Sequence, residues 1–115
     1  MYRVTRERFE ELAGEALDSI PESLARHMDN VVVLVEGRSP PGEHLFGLYQ
    51  GLPLTSRGNY YTGVVPDRIT LYQDEISSAC SSEAELIAQI RTTVVHEVAH
   101  HFGIGDRRLR ELGWG

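Results

Sequence analysis

The feature that most constrains this chain is an apolar helical stripe that runs into paired histidines. Leu86, Ile87, Ile90, Val94 and Val95 recur at helical spacing and lead into His96-Glu97-Val98-Ala99-His100. Ser82, followed three residues later by Glu85, is a capping-box start. Gly103 can end the helix, because glycine enters the left-handed conformation without steric penalty. A long helix with one buried face needs a core to face, and the rest of the chain has to supply it.

Three strands and a second helix supply that core. Phe9, Leu12, Ala13, Ala16, Leu17 and Ile20 form an amphipathic helix, with Thr5 as N-cap and Pro21 as stop. The β-branched run Val31 to Val35 is expected to be a strand buried on both faces. Leu45 to Gln50 is a second strand, and the alternating segment Arg68 to Gln73 a third. Residues 53–68 are expected to form a long loop. With 115 residues and no internal repeat, the chain is expected to be a single domain, residues 1–115, of α+β class.

The chemistry is concentrated in the second helix. His96 and His100, four apart, lie about 40° around the helix and roughly 6 Å along it, so both imidazoles project from one face. Two neutral imidazoles so placed can bind one tetrahedral zinc ion at about 2.0–2.1 Å. Glu97 leans about 100° away from His96. It is therefore poorly placed as a ligand but can reach a water on the metal, which suits a general base.

A catalytic zinc needs a third protein ligand and an open fourth position. Asp106 lies six residues beyond His100, where continued helix would turn it about 240° away. The chain must break at Gly103 and fold back, with Gly105 loosening the return. Chance gives H-E-x-x-H in a chain of this length about 1% of the time. Fixing Gly103 and Asp106 as well lowers that to roughly a few in 10⁵. Glu111 is an alternative third ligand, and a surface helix with solvated His and Glu is the ordinary alternative to any metal site.

These residues resemble the extended zincin signature, in which H-E-x-x-H is followed by x-x-G-x-x and a histidine or aspartate. Leu45 to Leu54 (LFGLYQGLPL), Pro66 to Gln73 (PDRITLYQ) and His96 to Asp106 (HEVAHHFGIGD) together resemble a family of compact bacterial zincin-like metallopeptidases. The resemblance implies a minimal zincin fold: a small mixed sheet of about three strands against an N-terminal helix and a C-terminal active-site helix. It implies His96, His100 and Asp106 as ligands of one Zn2+ per chain, Glu97 as base, and a peptide or protein substrate. By the same analogy, the strand at Ile69–Gln73 is expected at the sheet edge, receiving substrate by strand addition. Metzincins also carry a methionine turn downstream of the third ligand. Here Met1 and Met28 both lie upstream of Asp106.

The other signals are weaker. A formal charge of −6 without a basic run argues against nucleic acid and anionic membrane as partners. The charged N-terminus is unlike a secretory signal, so a cytoplasmic location is expected. Cys80 lies in a Ser-rich stretch read as a polar loop, with no cysteine to pair with. His101 is expected to pack or be solvated, and His27 and His44, lacking partners at ligand spacing, to face solvent. Tyr60, Tyr61, Tyr72 and Arg57 are candidates to stabilise charge on a tetrahedral intermediate. Activity is expected to fall below about pH 6, since protonated imidazoles release metal. A zinc-binding peptide-interaction module, or a latent hydrolase awaiting a partner, is the competing reading.

Overall fold

The computed structural model of the chain describes residues 1–51 and 66–114. Helix α1 spans Arg6–Asp18, and Thr5 opens it by accepting a hydrogen bond from the Arg8 amide at 3.1 Å. Helix α2 (Glu22–Ala25) follows Pro21 and tightens into a 3₁₀ turn at Arg26–Met28. Strands β1 (Val31–Glu36), β2 (Gly47–Gln50) and β3 (Asp67–Tyr72) form a sheet in the order β1-β3-β2. Because β3 runs parallel to β1 and antiparallel to β2, the sheet is mixed. Helices α3 (Gln73–Ser78), α4 (Glu83–His101) and α5 (Asp106–Leu112) complete an α+β architecture.

The long helix α4 lies against both α1 and the β2–β3 side of the sheet. Its stripe of Leu86, Ile90, Val94, Val95 and Val98 is buried, as are Phe9, Leu12 and Ala16 of α1 and Ile69 and Leu71 of β3. These residues form one hydrophobic cluster, so the helix bearing the histidines has its back in the core.

Three expectations about the sheet are corrected. β3 is its central strand, hydrogen-bonded on both sides, and is not an edge that could receive a peptide. Consecutive residues Ile69 to Tyr72 are all buried rather than alternating, so both faces of this strand are covered. Among the described residues the β-branched run of β1 pairs only with β3, and Val32 and Leu34 are 39% and 41% exposed, so one of its faces is left uncovered. Both patterns satisfy β propensity, and it is position in the sheet, invisible locally, that decides burial.

Beyond β3 the chain enters α3 directly at Gln73, where Asp74 and Glu75 occupy the first turn and suit the helix dipole. Cys80, expected in a polar loop, is buried at 2% exposure, and that burial pushes its thiol pKa up. The expected loop at 53–68 falls largely outside the described residues, as do Arg57, Tyr60 and Tyr61. No described helix is long and apolar enough to cross a membrane.

Candidate metal centre

Helix α4 begins as its sequence implies. Ser82 Oγ accepts from the Glu85 amide at 3.2 Å, while Glu85 Oε2 accepts from the Ser81 amide at 3.1 Å. Nineteen residues later it stops at a glycine reversal. Gly103 takes a φ of +78°, its amide donates to the His100 carbonyl at 3.1 Å, and the Ile104 amide donates to the Ala99 carbonyl at 2.7 Å. This is a Schellman turn, and Ile104 packs against the core beyond it.

The reversal puts Asp106 at the first position of α5, which is itself held down from behind. Leu109 is 1% exposed, and a second glycine turn at Gly113 returns Trp114 to the core. There the Trp114 indole N–H donates to Ser23 Oγ of α2 at 2.9 Å. Asp106 therefore comes back to α4, and its Oδ1 lies 3.2 Å from His100 Nε2. The His96 and His100 rings stand side by side, centroids 5.8 Å apart.

Two atoms bound at about 2.0–2.1 Å to a tetrahedral zinc ion stand roughly 3.3 Å apart, so the His100–Asp106 separation is also that of adjacent ligands. Two imidazoles and a carboxylate are a donor set that zinc accepts. The donor types and the His100–Asp106 spacing are thus those a zinc ion takes, but among the described residues no group of three or more His, Cys, Asp or Glu is placed to hold a metal ion. The contact formed is between His100 and Asp106, with His96 beside it. Glu111, the alternative ligand, is engaged by Arg108 at 3.1 Å and Arg107 at 3.7 Å.

Glu97 projects elsewhere, as its helical offset requires. Its Oε1 accepts a hydrogen bond from the Tyr49 main-chain amide of β2 at 3.0 Å. His101 packs as expected, its ring stacked on Tyr49 with centroids 3.9 Å apart.

In front of these groups lies a cleft of about 280 Å³, with His44, Phe46 and Gly47 among its lining beside His96, Glu97 and His100. A larger hollow, about 510 Å³, shares His44 and Phe46 with it and extends to Arg3, Arg38 and Asp74. The larger hollow holds none of the four candidate residues, so chemistry rather than size marks the site. His44 is exposed, as expected, but it lines the cleft that holds His96 and His100. Nothing in its spacing could have revealed that. Tyr72, by contrast, is buried in the central strand and does not line the cleft.

Residues 28–114 match the family described as zincin-like metallopeptidase, and the chain belongs to that family. Among solved structures it is similar to a conserved hypothetical protein from Thermo thermophilus. The two share 26% identity at a TM-score of 0.60, covering 86% of this chain and 94% of that one. No curated protein matches.

Proposed function

We propose that this protein is a zinc-dependent peptidase in which His96, His100 and Asp106 hold one zinc ion and Glu97 is the general base. The observation that carries this reading is the 3.2 Å approach of Asp106 to His100, which a continuous helix could not produce. Membership of the zincin-like family supports the same conclusion.

When bound, zinc supplies Lewis acidity to a substrate carbonyl and acidifies a water beside it. Glu97 takes the proton of the attacking water and passes it to the nitrogen of the leaving amine. His44, which lines the same cleft, is suited to donate a hydrogen bond to the oxygen on which charge develops. A peptide would lie in the cleft that Phe46 and Gly47 line together with His96, Glu97 and His100.

The same cleft also fits a second reading, a zinc-binding module that holds peptides without cleaving them. Turnover of unstructured peptides by wild type and by Glu97→Ala, both loaded with zinc, separates the two. Cleavage abolished in Glu97→Ala with metal retained is the expected result. If zinc-loaded wild type binds peptides but never cleaves them, the module reading replaces the peptidase.

A further inference from the structure

The hydrogen bond between strand β2 and Glu97 is more specific than a chance contact. The Tyr72 amide donates to the Phe46 carbonyl at 2.9 Å. In an antiparallel ladder, alternate residues exchange bonds with the partner strand. Phe46, Leu48 and Gln50 therefore face β3, while Gly47 and Tyr49 turn their main-chain groups outward. The outward Tyr49 amide meets Glu97 Oε1.

Tyr49 is fixed at two further points. Its ring stacks on His101 of α4, and its hydroxyl donates to Asp67 Oδ2 of β3 at 2.9 Å. Gly47, two residues back on the same side of the strand, faces Thr93, one helical turn before Glu97. A Cβ at Gly47 would lie 2.7 Å from Thr93 Cγ2 and 3.1 Å from the Thr70 carbonyl oxygen. Neither neighbour gives way easily. The carbonyl is main chain of the central strand, and the Thr93 hydroxyl donates to the Gln89 carbonyl at 2.8 Å, which sets its rotamer.

We infer that Tyr49 is a positioning residue for Glu97, acting through its main-chain amide, and that glycine at 47 permits the approach of β2 to α4 that forms the bond. Anchoring one carboxylate oxygen fixes the side chain and keeps the other oxygen for proton transfer. The kinetic part of this inference rests on the peptidase reading, whereas the geometric part does not.

Amide hydrogen exchange, followed by NMR on zinc-supplemented protein, tests the geometry directly. In Glu97→Ala the Tyr49 amide should exchange about tenfold faster or more, with the Leu48 amide in the ladder unchanged. Gly47→Ala should accelerate Tyr49 exchange similarly and lower kcat about tenfold, with KM and zinc content held. Tyr49→Ala, which removes both the ring stack and the bond to Asp67, should behave like Gly47→Ala. Unchanged Tyr49 exchange in Glu97→Ala overturns the inference, whether or not Gly47→Ala folds. If wild type shows no turnover while the exchange result holds, the peptidase reading fails and the positioning contact stands.

Discussion

The two arms of the candidate site are built very differently. His96, Glu97 and His100 ride on a nineteen-residue helix whose opposite face is buried among α1 and the sheet. Asp106 starts a seven-residue helix, its side chain 66% exposed, and the arm is held mainly by Leu109, Trp114 and the glycine turns at Gly103 and Gly113. The first arm shares its helix with core residues. The second is a short segment whose own propensity could not sustain it, so its position is a tertiary property. A site of this kind can lose its third ligand while the fold survives.

The widest test of that contrast compares two truncations. Ile90→Ala, on the buried face of α4, should cost about 3–5 kcal/mol in urea unfolding of metal-free protein. Leu109→Ala should cost less, about 2–3 kcal/mol, yet weaken zinc binding more in a competition titration. Equal effects of both variants on zinc would dissolve the distinction between the arms.

Gly103→Ala sharpens it further. Nothing lies within 4 Å of a Cβ built there, so the expected cost is that of the left-handed backbone alone, about 1 kcal/mol. Zinc affinity should nevertheless fall about tenfold, because the turn aims Asp106 at His100. A stability loss with unaltered affinity would mean that the turn does not set the carboxylate.

This division also explains what could be read from the sequence. The α4 arm was legible because capping at Ser82 and Glu85, the apolar stripe and the stop at Gly103 are all local signals. Asp106 was legible only through the requirement that a third ligand return. The expected roles of β1 and β3 come out exchanged, since Val31 to Val35 and Arg68 to Gln73 differ in composition but their burial depends on which strand lies between the other two. His44 and the Tyr49 amide were not legible at all. One is brought to the cleft by the fold, and the other is a main-chain group that side-chain patterns do not report.

Smaller effects come from groups remote from the candidate site. Burial raises the pKa of both the Cys80 thiol and the Tyr72 phenol, so the folded state favours their protonated forms. That stability is present below their ordinary values, about 8.5 and 10, and is lost as pH rises from there toward the raised folded values. Urea midpoints should therefore decline in the alkaline range, and Cys80 should resist alkylation until the protein unfolds. Rapid modification of native protein would contradict its burial.

The smallest effect expected is at the Arg8–Glu83 pair, which ties α1 to the start of α4 at 2.8 Å. The hydrogen bond from Arg8 lowers the Glu83 pKa, so its contribution is present above the ordinary carboxylate range and lost as pH falls through the lowered folded value. Glu83→Gln should shift the urea midpoint slightly, and high salt should abolish the difference.

Zinc content, measured by elemental analysis of chelator-free protein alongside His96→Ala and Asp106→Ala, tests the central claim most directly. About one zinc per chain is expected in wild type, with both variants far below it at equal free zinc. Asp106→Ala holding zinc as tightly as wild type, or wild type holding none under zinc-replete conditions, would contradict the three-ligand site.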